Sequence, residues 1–401
     1  MRTLNVHRLL VGTPSNEGYL GALDVHPTEE RALRGSRDIV RAALKSGLRD
    51  LQERGVAAIL DQRFIAKAGT LPPLSPRFRM QGSMKYRTLN EPAHNPPQEI
   101  DVDDGVYLPT SFVTANGTVR PVLASKAYFR AVEKILEPLC QKMNWELDKS
   151  KPCCVRIRLS DKAHIDLPLY AIPDDAFLRL AEDRAMLAKA TSTGSDMEIS
   201  EAAYKALPTD QVMLARRNDE WLESDPRQIE DWFLEAIDEH GEVVRSVSRY
   251  LKGWRDYQLE NCGISSISLM ACVVATFDGL GGTLATGRDD LALLAVTRNL
   301  ASQFAGNIHN PVLPDQVLND TWTSAQRAEF VRLAGELHRE VDAALNGTYE
   351  KGIAIRHLRA AFGSRIPDAP DLISIDGKED AVLAYPRARV AAPMVPRTTS
   401  G

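Results

Sequence analysis

The sequence predicts an α+β chain, with a mixed α/β half followed by a largely helical half. Three observations carry this. Val155, Ile157 and Leu159 alternate with Arg156, Arg158 and Ser160, the period of a half-buried strand. Beyond roughly residue 200, apolar residues recur at helical spacing over 229–250, 265–277, 291–304, 324–345 and 352–362. The 401 residues suffice for two or three domains with a sizeable core.

The elements follow in order. Val40, Leu44, Leu48 and Leu51 recur at three- or four-residue spacing and predict a helix over 28–53. Arg34, Arg37 and Arg41 share another face, read as solvated, with an anion or regulatory-ligand site as the alternative. Pro72, Pro73 and Pro76 break the chain before a short strand at 77–80. Gly82-Ser83 then turns into 84–89, and the Pro- and Asn-rich stretch 91–97 is a loop. Ile100, Val102 and Val106 open a second strand, 126–145 reads as a helix, and 165–172 pairs with the strand at 155–159. Residues 386–401 hold three prolines, three arginines and no acid, the composition of a disordered tail. The expected division is 1–200, 201–385 and that tail.

Composition narrows the class. Apolar content of 44% and charged content of 26% are those of a soluble globular protein. A net charge of −5 argues against long nucleic acid as substrate, because phosphate backbones call for a basic footprint. The five cysteines contain no C-x-x-C pair, which argues against zinc and for a reduced compartment. The first seven residues lack a signal-peptide core, and 265–277 is too short to span a bilayer. The expectation is a soluble, cytoplasmic protein without a membrane partner.

The chemistry lies in three stretches. In Ile100-Asp101-Val102-Asp103-Asp104-Gly105, Asp101 and Asp103 are two apart on a strand and point to one face, with Asp104 opposite. Neighbouring carboxylates repel unless a cation neutralises them, and hard oxygen ligands suit magnesium, or manganese as an alternative. Asp166, in His164-Ile165-Asp166, supplies a third carboxylate for a pair of ions about 4 Å apart. Gln81-Gly82-Ser83 precedes them: Gly82 admits a phosphate close to the backbone, and Ser83 offers a hydroxyl and an N–H. Together they point to metal-dependent nucleotidyl transfer. Other motifs are set aside. The glycine-rich 279–283 lacks the G-K-[ST] of a P-loop, Cys153-Cys154 reads as buried thiols, and the eight histidines, without H-E-x-x-H spacing, read as surface or packing residues.

These stretches, with Tyr86, Ser224-Asp225-Pro226, Lys252 and Ser265-Ser266 in the same order, resemble the bacterial CD-NTases. These are cyclic-dinucleotide synthases related in fold to animal cyclic GMP-AMP synthase, and the closest likeness is to the bacterial cyclic GMP-AMP synthase type. The resemblance covers about residues 78 to 270. It implies a polymerase-β-like nucleotidyltransferase core, a helical C-terminal domain and a cleft between them that takes ATP and GTP. It implies that Asp101, Asp103 and Asp166 bind two magnesium ions. Ser83, Lys252 and Ser266 would hold the donor triphosphate, and Gln81, Tyr86 and Ser224 would contact nucleotide. Two transfers through a linear intermediate would give a 3′,3′-linked cyclic GMP-AMP for anti-phage signalling.

Asn310 stands where this type places an acidic base-selecting region, so a different cyclic product is the alternative. Arg156 matches an arginine that meets a folate-like inhibitor in this type, and Arg34, Arg37 and Arg41 are candidates for the same pocket. The terminal Gly401 matches members joined to other molecules by a ubiquitin-ligase-like enzyme. The protein is expected to act as a monomer. A maker of linear oligonucleotides and a catalytically silent nucleotide-sensing scaffold are the competing readings.

Overall fold

A computed structural model describes residues 3–53, 76–109, 112–115, 118–121, 124–173, 211–261, 263–281 and 287–376. Cys262, part of the 279–283 loop, the tail and Gly401 lie outside the described residues, as do the expected boundaries at 200 and 385. By compactness the chain forms two units. One comprises Leu23–Ala271 and Asn307–Gln326, the other Met1–Ala22, Cys272–Gly306 and Arg327–Gly401.

The first unit is built on a seven-stranded mixed sheet. Its strands are β1 (Arg77–Met80), β2 (Ile100–Pro109), β3 (Glu146–Asp148), β4 (Cys154–Arg158), β5 (Ala163–Ile172), β6 (Met213–Ala215) and β7 (Trp221–Glu223). Central β5 runs parallel to β2 along its length. Its other edge is shared: β4 pairs antiparallel with His164–Pro168, and β6 with Tyr170 and Ala171. β1 adds antiparallel to the far side of β2.

Two helices cover the back of the sheet, α1 (Pro27–Glu53) and α3 (Ser125–Met143), with the short α2 (Gly82–Tyr86) between them in sequence. Pro27 opens α1, and Glu29 and Glu30 in its first turn complement the helix dipole. Leu33, Val40, Leu44 and Leu48 form its buried stripe. Gly47 lets α1 approach α3, since a Cβ there would stand 2.5 Å from Ile135 Cγ2. Phe129, Val132 and Leu136 of α3 meet Val102, Val155, Ile157 and Ile165 in one core. Each such fully buried side chain contributes about 1.5–3 kcal/mol.

Arg41 corrects the reading of α1 as carrying a solvated arginine face. Its Nε and Nη2 donate to the two Asp104 oxygens at 2.7 and 2.5 Å, with both side chains almost wholly buried. Only a planar fork satisfies both carboxylate oxygens at once. Arg34 instead bonds Glu30, and Arg37 bonds Asp38, each also reaching Met80 Sδ.

Helices α4 (Pro226–His240), α5 (Val243–Gln258) and α6 (Ser266–Leu280) follow the sheet. The sequence pattern over 229–250 predicts one helix and the structure contains two. Gly241, at φ +90°, ends α4 with its N–H on Ile237 O at 2.7 Å, a backbone turn that glycine permits. Asp225 caps α4 by accepting from Arg227 N at 2.9 Å.

In the other unit, residues from both ends of the chain meet. Leu4–Asn5 pairs antiparallel with Ser374–Ile375, Val6 N donates to Asp290 Oδ2 at 3.0 Å, and Tyr19 packs on Phe362. Helices Asp289–Ala305, Ser324–Asn346 and Lys351–Phe362 confirm the helical spacing read there. Among the described residues no helix is long and apolar enough to cross a membrane.

Candidate active site

The parallel β2–β5 ladder sets Asp101 opposite His164 and Asp103 opposite Asp166. Side chains alternate with a period of two, so all four project from one face and Asp104 from the other. Next along the sheet, β4 sets Arg156 opposite Asp166. Arg156 Nε and Nη2 donate to the Asp166 oxygens at 2.7 and 2.6 Å. His164 Nδ1 lies 2.5 Å from Glu99 Oε2, and its Nε2 lies 3.0 Å from Asp101 Oδ1.

These groups shift one another. Burial, then the charges of Asp101 and Asp166, hold the Asp103 carboxyl well above its ordinary range. Burial opposes charge on His164, yet its hydrogen bond to Asp101 and that carboxylate's charge leave the net shift upward. Such a face calls for a cation. Asp101, His164 and Asp166 offer ligand atoms all within 4.8 Å of one another. Apart from His164 Nε2, 3.0 Å away, the buried Asp101 Oδ1 has no hydrogen-bond partner. Asp103 Oδ2 occupies the place of the missing Gly82 Cβ, 1.9 Å from where that atom would stand. The oxygen-rich set fits a hard divalent cation.

The face opens on a cavity of about 900 Å³ lined by Gly82, Ser83, Tyr86, Asp101, Asp103, Arg156, His164, Lys252 and Ser266, among others. A loop from α2 to β2 forms one wall and is laced to α5. Asn90 and Arg249 exchange two hydrogen bonds, and Gln98 Nε2 donates to Asp256 O and Leu259 O at 2.8 Å. Lys252 is buried on α5 and donates from Nζ to Thr88 O at 2.5 Å. Burial, then the charge of Arg255, push its pKa down to about 7. Arg255 Nη1 reaches Ser266 Oγ at 3.1 Å, at the start of α6.

The structure thus brings together Gly82, Ser83, Tyr86, Asp101, Asp103, Asp166, Lys252 and Ser266. The remaining three expected residues do not line the cavity. Gln81 Nε2 donates to Tyr107 Oη at 3.0 Å, and Gln81 Oε1 accepts from Tyr170 Oη at 3.3 Å. Ser224 holds the chain between β7 and α4, its N–H on Val212 O at 3.2 Å. Asn310 closes its own turn, accepting from Val312 N and Leu313 N while donating to Gln316 Oε1 at 2.7 Å.

Two readings change. His164 is not an ordinary packing histidine but part of the acidic face. Its position two before Asp166 carried that signal, because alternation puts both on one side. Arg156 points to the carboxylate face and Arg41 to the opposite one, so they do not share a pocket.

A mixed sheet with paired carboxylates on adjacent strands, a glycine-serine turn and a buried lysine defines a nucleotidyltransferase. Comparison with known proteins agrees. Residues 76–170 match the family model of the cyclic GMP-AMP synthase DncV-like nucleotidyltransferase domain, and 241–375 match the cyclic GMP-AMP synthase C-terminal domain. A cyclic GMP-AMP synthase of Escherichia coli is 32% identical, over 80% of this chain and 75% of its own length. One of Vibrio cholerae is 28% identical, over 92% of each. The Vibrio cholerae DncV structure in complex with the linear intermediate pppA(3′,5′)pG has a TM-score of 0.74 at 25% identity, covering 94% of this chain and 100% of that one. The same protein in complex with GTP and 5MTHFGLU2 has a TM-score of 0.75 at 26% identity, with the same coverage. The chain belongs to the bacterial cyclic GMP-AMP synthase-like (CD-NTase) family and is a nucleotidyltransferase of that type.

Proposed function

We propose that this chain joins ATP and GTP into a 3′,3′-linked cyclic GMP-AMP by two successive nucleotidyl transfers at one site. The carrying observation is the strand register that sets Asp166 beside Asp103, with Asp101 and Asp103 lining a nucleotide-sized cavity. Its relatives' cyclic GMP-AMP synthase activity supports it.

Asp101, Asp103 and Asp166 would hold two magnesium ions, with manganese as the substitute. When bound, such ions lower the pKa of an attacking hydroxyl and neutralise charge on phosphate oxygens. The protein's own share is positioning. Gly82 keeps the backbone low enough for Asp103 to face the cavity. Ser83 offers its hydroxyl to the donor triphosphate from α2, and Ser266 offers its own from α6. Lys252 adds a cation whose proton is in play near neutral pH. The α2–β2 loop, tied to α5, fixes the wall against which substrate is held. Tyr86 presents an aromatic face to a base, and Gln81 steadies the sheet beneath through Tyr107 and Tyr170.

Incubation with labelled ATP, GTP and Mg²⁺, followed by phosphatase treatment and mass analysis, tests this. A phosphatase-resistant mixed dinucleotide is expected, and its loss is expected in Asp101→Asn and Asp103→Asn. Unchanged activity in either variant would sink the assignment. A product that is only linear, or built from one base, would overturn the cyclic GMP-AMP reading. The proposed biological role is second-messenger synthesis in anti-phage defence. It is checked by whether phage plating on cells carrying the gene and its neighbours depends on Asp101.

A further inference from the structure

The carboxylate face is already occupied by the protein's own bases. Across the sheet, each of two acids is matched by a basic side chain. Asp166 stands opposite Arg156 on β4, and Asp101 opposite His164 on β5. Arg156 takes both oxygens of Asp166 at 2.7 and 2.6 Å, so each oxygen of that carboxylate already faces a positive charge. Arg156 lines the cavity beside Asp101 and Asp103.

We propose that Arg156 is a built-in counter-ion that keeps divalent metal off Asp166 until nucleotide arrives. This rests on the reading above that Asp101, Asp103 and Asp166 bind divalent cations. The physics is competitive. In the free protein a fixed positive charge satisfies Asp166, and a hydrated divalent ion must displace two charge-assisted hydrogen bonds while meeting like charge. A metal that arrives with a triphosphate brings compensating negative charge. Asp166 can then turn to the metal, and the phosphates are anions for the released guanidinium. Metal loading is thereby coupled to substrate, and the nucleotide-free enzyme stays metal-poor. Arg156 is a positioning residue in this scheme.

Nucleotide-free Mn²⁺ binding, read from the loss of the free-ion electron paramagnetic resonance signal, tests the proposal. The variants are Arg156→Gln and Arg156→Lys, each checked for folding by thermal melt. Arg156→Met replaces the glutamine variant if that one melts early. The parent should bind Mn²⁺ weakly alone and markedly better with a non-hydrolysable ATP analogue. Arg156→Gln should bind the ion alone about tenfold tighter or more. Arg156→Lys, which keeps the charge, should return toward the parent. Nucleotide-free binding by Arg156→Gln that equals or falls below the parent overturns the proposal, because an arginine that merely orients Asp166 would lower affinity when removed. If the parent fails to bind Mn²⁺ even with the analogue, and Asp101→Asn changes nothing, the divalent-cation reading itself has failed.

Discussion

Gly82→Ala isolates the geometry that the site depends on. Gly82 sits at φ +61°, and a Cβ built there would lie 1.9 Å from Asp103 Oδ2, 2.9 Å from its Cγ and 3.3 Å from its Cβ. Two effects separate. The backbone effect is the left-handed penalty for a residue with a Cβ, about 1–2 kcal/mol. For a domain of this size that lowers the melting temperature by about 2–8 °C. The site effect is larger. A carbon and an oxygen in contact need roughly 3.2–3.5 Å, so the Asp103 carboxylate has to move by more than about 1 Å. A misplacement of about 1 Å in a reacting constellation costs about 100-fold in rate. The expected variant is therefore folded, slightly less stable and about 100-fold slower in kcat. Differential scanning fluorimetry reads the first quantity, and pyrophosphate release with product mass analysis reads the second. Gly35→Ala is the control. Gly35 lies within α1 with nothing near its absent Cβ, so the change should stabilise by about 0.5–1 kcal/mol and leave turnover unchanged. A Gly82→Ala enzyme within threefold of the parent would refute the claim that this glycine sets the position of Asp103.

Three further predictions follow from single contacts. Arg41→Ala leaves Asp104 buried without its fork and should cost about 3–5 kcal/mol in a urea titration; a loss under about 1 kcal/mol would contradict the buried pair. Lys252, with its pKa pushed down to about 7, is protonated below that pH and neutral above it. Triphosphate affinity should therefore fall as pH rises from about 6 to about 8.5, and the step should vanish in Lys252→Arg, whose charge does not titrate. A pH profile identical in both would show that another group is responsible. Gln81→Leu removes two buried hydrogen bonds and should cost about 1–3 kcal/mol in stability with KM for ATP little changed; a large KM effect without loss of stability would make Gln81 a substrate contact instead.

What the sequence revealed and what it hid divides along the range of the interaction. Alternation is local, so Asp101, Asp103 and the opposed Asp104 were legible from six residues, and β4 and β5 from the next alternating run. Helical stripes were legible for the same reason. Apolar spacing continues across Gly241 and hides the break there, and the glycine itself is the one local signal of it. Arg41 could not be read: its partner lies 63 residues away, and exposed and buried arginines look alike in sequence. His164 follows strand spacing, two before Asp166, and not the helical H-E-x-x-H spacing by which metal-binding histidines stand out in a sequence. The pairing of Leu4–Asn5 with Ser374–Ile375 joins segments about as far apart as the chain allows, and nothing local announces it.

The two faces of β2 explain one another. A strand can slip by one residue, and a slip would send Asp101 and Asp103 into the core and bring Asp104 to the cavity. Alternating hydrophobicity guards weakly against this here, because three of the four residues from Asp101 to Asp104 are acidic. Asp104 supplies the missing constraint. Held by both nitrogens of Arg41 behind the sheet, it admits one register only, since a slipped strand would bury a second carboxylate with no fork to meet it. The same register places Asp103 beside Gly82 and Asp166. A buried ion pair of doubtful net value to stability is thus what decides which carboxylates reach the nucleotide.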